Sequence, residues 1–166
     1  MKSRPQPKQD LDTPQLFLRI RHPAMDPAEI TRTLTMEPIE TIAAGAVTES
    51  GVRRLHSESY WIAQLPTSSL HELAERYRAG GRTLQPTSPV NKEELLALVG
   101  ASEWDARILL QLKELEADAN HEFIQRIIGD GGSVALLVSR GDQRAPFVIK
   151  RALAKLAQLG IELEVD

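Results

Sequence analysis

The chain has 166 residues, with 20 Lys and Arg against 23 Asp and Glu, and a formal charge of −3. Apolar residues make up 42% and charged residues 26%, the balance of a soluble globular protein, and a domain of this length buries about 70% of its unfolded surface. The absence of cysteine excludes disulfides, a thiol nucleophile and cysteine-ligated zinc, and fits a reducing cytoplasm; the small net charge supplies no overall pull toward nucleic acid or anionic membrane.

Residues 1–14, MKSRPQPKQDLDTP, are polar and broken by Pro5, Pro7 and Pro14. They lack the apolar core of a secretory signal and read as a disordered tail ahead of one domain over 15–166. No apolar run reaches the ~20 residues a membrane-spanning helix needs.

In LFLRI, residues 16–20, Leu16, Leu18 and Ile20 alternate with Phe17 and Arg19, the period of a strand with one face on a core. Asp26 then caps a helix entered by Pro27, with Ile30 and Leu34 facing inward and Pro38 as its stop. Residues 39–58, punctuated by Gly45, Ser50 and Gly51, read as a long loop with at most a short strand. Tyr60 to Leu65 form the next strand, ended by Pro66.

Ser69 and Glu72 have capping-box spacing for a helix closed by Gly80-Gly81; a proline linker and the short helix NKEELLALV follow, so that about 68–103 is a helical insertion. Ser102 opens the longest helix, whose series Trp104, Ile108, Leu112, Leu115, Ala119, Phe123 and Ile127 runs unbroken to Gly129. The turn GDGG leads into SVALLVS, residues 133–139, an apolar strand expected inside the sheet. Pro146 leads a last helix with Phe147, Ile149, Leu153 and Leu156 on one side, and IELEV closes the chain as a strand.

A strand, a proline-led helix and a strand thus occur at 16–65 and again at 133–165. Two such βαβ units predict an α+β fold: a four-stranded, mainly antiparallel, ferredoxin-like sheet with helices on one face. The order of the first strand, Asp26-Pro27, Glu29-Ile30, Leu34, Glu37-Pro38, Gly45 and Trp61, followed by the terminal KRALAKLAQLGIELEVD, resembles the bacterial domain-of-unknown-function family 4279. The resemblance covers about 16–65 and the final 35 or so residues, and fits 66–103 least. It implies a compact α+β domain and brings no activity or catalytic residues.

Catalytic motifs fail on inspection. HELAE at 71–75 and HEFIQ at 121–125 begin like zinc-protease helices, but the position for the second histidine holds Glu75 or Gln125. The glycines 129, 131 and 132 end a helix and enter a strand, the reverse of a phosphate loop. His56, Ser57 and Glu58 are neighbours without a nucleophile elbow. Asp26 and Glu29 are explained as cap and first-turn acid, and the basic residues of 140–155 as a solvated helix face, which makes nucleic acid an unfavoured partner. No metal site and no cofactor are expected.

The stretch GAVTESGVRRLHSESYW remains. Arg53, Arg54 and His56 beside Tyr60 and Trp61 are suited to grip a carboxylate, a phosphate or an acidic partner surface, and they are the candidate binding residues. The sequence therefore reads as a non-enzymatic, cytoplasmic protein-binding or regulatory module, with self-association possible. An anionic-metabolite sensor using Arg53 and Arg54 is the second reading, and an enzyme the third.

Overall fold

The computed structural model describes residues 15–50, 52–65, 103–140, 147 and 149–166. In chain order the elements are β1 (Gln15–His22), α1 (Pro27–Leu34), β2 (Glu40–Ile42), β3 (Val47–Ser50), β4 (Val52–Leu55), β5 (Ser59–Gln64), α2 (Glu103–Leu115), α3 (Asp118–Gly129), β6 (Ser133–Ser139), α4 (Arg151–Leu159) and β7 (Glu162–Val165). The proposed tail and the insertion at about 68–103 lie outside the described residues, apart from Glu103 at the start of α2.

The alternation of β1 sets the layers. Leu16, Leu18, Ile20 and His22 are buried on one side of the strand, and Phe17, Arg19 and Arg21 occupy the other. Antiparallel pairing with β5 puts Trp61 opposite Ile20 and Ala63 opposite Leu18; pairing with β6 puts Val134 and Leu136 on the same buried face. Helices α1, α3 and α4 lie on that face, contributing Ile30, Leu34, Phe123, Ile124, Ile127, Leu156 and Leu159 to one core.

The sheet order is β2-β5-β1-β6-β7. Three ladders are antiparallel, but β7 runs parallel to β6, so the sheet is mixed and has five strands. This corrects the expected four-stranded ferredoxin-like layout. Only the second of the two expected units, β6-α4-β7, joins adjacent parallel strands; β5 is antiparallel to β1, and α1 leads instead into β2 on the far side of β5.

Local chemistry explains most boundaries. Asp26 Oδ1 accepts from the Ala28 amide at 2.9 Å, Pro27 enters α1, and Ile30 and Leu34 are buried, as the sequence indicated. The helix stops at Thr35, in left-handed conformation with φ 54°, before Pro38 is reached. His22 Nδ1 accepts from the amides of Ala24 and Met25 at 3.1 and 2.8 Å, turning the chain from strand to helix.

The helix expected to run unbroken to Gly129 is two helices, parted at Glu116 and Ala117. Ala119, which the single stripe required inward, is exposed. The break lets α2 pack against α4 while α3 packs on β6, so the two halves bury stripes against different surfaces. After α3, Gly131 takes φ 86°, and the amides of Gly131 and Gly132 bond to the carbonyls of Ile128 and Ile127. A Cβ at Gly132 would stand 2.6 Å from the Arg21 carbonyl oxygen, so this approach of the helix layer to β1 requires glycine.

Helix α4 begins at Arg151, later than Pro146 suggested, and its Lys150 N-cap supplies no side-chain bond. The cap comes from α2. The buried carboxylate of Asp105 accepts from the amides of Lys150 at 2.9 Å, Ala152 at 3.0 Å and Arg151 at 3.4 Å, answering donors that the helix itself leaves open. Trp104, one residue earlier, meets Phe147 edge-on at 5.0 Å.

Candidate functional site

Residues 39–58, expected as a loop, hold β2 and a separate two-stranded hairpin, β3–β4. Its base is fixed by reciprocal bonds, Gly45 N–H to the His56 carbonyl at 2.7 Å and His56 N–H to the Ala46 carbonyl at 3.0 Å. The His56 ring adds a side-chain bond, Nε2 to Thr48 Oγ1 at 3.0 Å. Ser59, buried at the start of β5, accepts from the Ala44 amide at 3.0 Å and ties the turn to the sheet.

Arg53 and Arg54 occupy consecutive positions of β4, across the ladder from Glu49 and Thr48. His56 and Tyr60 come together at the hairpin base. There they line an open dish of about 420 Å³ with Arg21, Glu40, Ile42, Leu55, Ser57, Glu58 and Ser59. Trp61 is separated from them, because consecutive strand residues face opposite ways. It is buried under α1, where its Nε1–H donates to Thr31 Oγ1 at 3.0 Å.

Register explains the dish. Arg21, Tyr60 and Ile42 form one cross-strand row on the face that the described helices leave uncovered, and Arg19, Ile62 and Glu40 form the next. Sequence reasoning missed Arg21 and Glu40, and weighed Glu58 only with His56 and Ser57 as a catalytic trio. The alternation that placed Leu16, Leu18 and Ile20 inward already put Arg21 on the outer face, but which strands flank it depends on long-range pairing.

Beyond Arg19 the same face becomes apolar. Phe17, Ile39, Ile62 and Leu137 line a groove of about 440 Å³ that also includes Arg19 and Glu164 and reaches Val165 and Asp166 at the sheet end. Arg19 forms a two-pronged bond to Glu164, with Nη1 donating to Oε2 at 2.9 Å and Nη2 to Oε1, crossing β6 where Ala135 is small enough to let it pass. Ile39 at the β2 end is 60% exposed and Val165 at the β7 end 45% exposed.

Other sequence candidates have structural duties. Gln125, which replaces the second histidine of a zinc helix, donates to the Leu159 carbonyl at the end of α4 at 2.9 Å. Glu29 pairs with Arg126 and Lys155 with Glu116, at 2.5 and 2.6 Å. HELAE lies outside the described residues, and among the described residues no three His, Asp or Glu side chains are grouped to hold a metal. No helix among them is long and apolar enough to cross a membrane.

The family model described as Domain of unknown function (DUF4279) matches residues 13–166, running through the segment that the sequence resemblance fitted least. No curated protein and no solved structure matches the chain.

Proposed function

The chain belongs to the DUF4279 family over nearly its whole length, and from that premise we propose a non-enzymatic module that binds a protein partner across the open face of its sheet. The observation that carries this reading is the groove of about 440 Å³ lined by Phe17, Ile39, Ile62 and Leu137, with Ile39 exposed at its β2 end. Apolar rims of this kind are where a partner gains most from excluding water.

Charge narrows the partner. Arg19 is matched by Glu164, which leaves Glu162 and Asp166 as surplus acids at the β7 side. The complementary surface is an aliphatic segment flanked by lysine or arginine. An anion sensor built on Arg53 and Arg54 ranks second, because the register gives Arg53 a glutamate, Glu49, as its cross-strand neighbour.

The test is affinity capture from the native host with wild type, Ile39→Glu and Leu153→Glu as baits. Leu153 is 51% exposed but lies on α4, in the helical layer away from the groove. The expected outcome is one stoichiometric protein with a basic, aliphatic contact segment, retained by wild type and Leu153→Glu and lost by Ile39→Glu. Equal retention by all three baits would move the interface elsewhere. Equilibrium sedimentation of the purified chain identifies the case in which the partner is a second copy.

A further inference from the structure

The dish at the hairpin base is a different surface from the groove and carries a different pattern of charge. Arg21 stands on β1, Glu40 on β2 and Glu58 in the turn before β5, with Tyr60 and Ile42 in the same row as Arg21. Strands β1 and β2 flank β5, so their lines are roughly 10 Å apart, and arginine and glutamate side chains from the two can approach one small molecule over Tyr60. Among the described residues neither Arg21, Glu40 nor Glu58 has an ion-pair partner.

One guanidinium and two carboxylates on an open sheet suit neither simple ion. A plain anion that reached Arg21 would also meet Glu40 and Glu58; a plain cation drawn to the glutamates would meet Arg21. A molecule carrying both charges on neighbouring atoms satisfies both. Besides Ser57 and Ser59, the wall holds the apolar and aromatic groups Ile42, Tyr60 and Leu55, the last 72% exposed at the rim. His56 is held by Thr48 and shapes the dish without being required for charge recognition. We propose that this dish binds a free α-amino acid with an aliphatic side chain, its carboxylate on Arg21, its ammonium between Glu40 and Glu58, and its side chain against Ile42 and Tyr60. The hairpin base, tied down by His56 and Ser59, forms one wall of the site, so occupancy is felt at residues 56–60.

Amide-resolved NMR titration of the full chain tests this directly. The twenty common amino acids are screened at millimolar concentration, followed by L-leucine, N-acetyl-L-leucine and L-leucinamide, with wild type, Arg21→Met, Glu40→Gln and Glu58→Gln. All three substituted residues are exposed, and each variant's own spectrum reports whether it is folded. The expected result is saturable shifts at residues 21, 42 and 56–60 with leucine, at least tenfold weaker binding of both blocked forms, and at least tenfold loss in Arg21→Met. Absence of saturable shifts with any amino acid overturns the proposal, as does equal binding of N-acetyl-L-leucine or L-leucinamide. Since neither the groove nor its partner enters this titration, failure here leaves the protein-binding reading to its own test.

Discussion

The two faces of the sheet are built from the same strands and differ in almost every physical respect. On one, Leu18, Ile20, Trp61 and Leu136 are sealed under three helices; on the other, Phe17, Arg19, Arg21 and Tyr60 line a groove and a dish. Period-two alternation divides the labour residue by residue. The covered face holds the fold together, and no described helix lies over the other.

The largest effect should come from neighbouring residues of β1. Leu18 is fully buried, so Leu18→Ala is expected to cost about 4 kcal/mol, within the range for large-to-small core changes. Phe17→Ala, although it removes a larger side chain, should cost about 1 kcal/mol because Phe17 is only half-buried. Urea unfolding of the two variants measures the contrast. Equal losses would mean that the second face is a second core and that the division drawn here fails.

The helix layer has its own keystone in Asp105. Asparagine keeps one oxygen for the α4 amides but removes the charge, and the expected loss is about 2 kcal/mol, read by the same unfolding experiment. Asp105→Asn should leave chemical shifts at Arg21 and Tyr60 in place. Shifts spreading across the open face would show that the two layers are coupled more tightly than their separation suggests.

What could be read in advance followed the range of the interaction. The strand pattern of β1, the Asp26-Pro27 entry to α1 and the apolar run of β6 are written in neighbouring residues, and all three reappear in the structure. The break between α2 and α3 contains neither proline nor glycine, because its cause is the separate surfaces on which the two halves pack. Asp105 reaches α4 from 45 residues away, and no local motif announces a cap at that distance. The punctuation at Gly45, Ser50 and Gly51 suggests a loop, whereas Val47–Ser50 and Val52–Leu55 pair as antiparallel strands, a ladder that no single-strand pattern announces. In the candidate site, His56 and Tyr60 were legible from composition, whereas their meeting with Arg21 and Glu40 depends on the register of β1, β5 and β2.

The smallest effect sharpens the comparison most. Arg19 and Glu164 form a two-pronged ion pair on the open face, yet the Glu164 side chain is 46% exposed, so water and salt screen the attraction. A double-mutant cycle with Arg19→Met and Glu164→Gln should give a coupling energy below about 1 kcal/mol, shrinking further as salt is raised. Such a value would mean that the pair sets the shape and charge of the groove while contributing little to folding. A salt-insensitive coupling above about 2 kcal/mol would instead indicate that the pair is desolvated and structural. The open face would then hold stabilising energy of its own, and substitutions there could not be read as tests of binding alone.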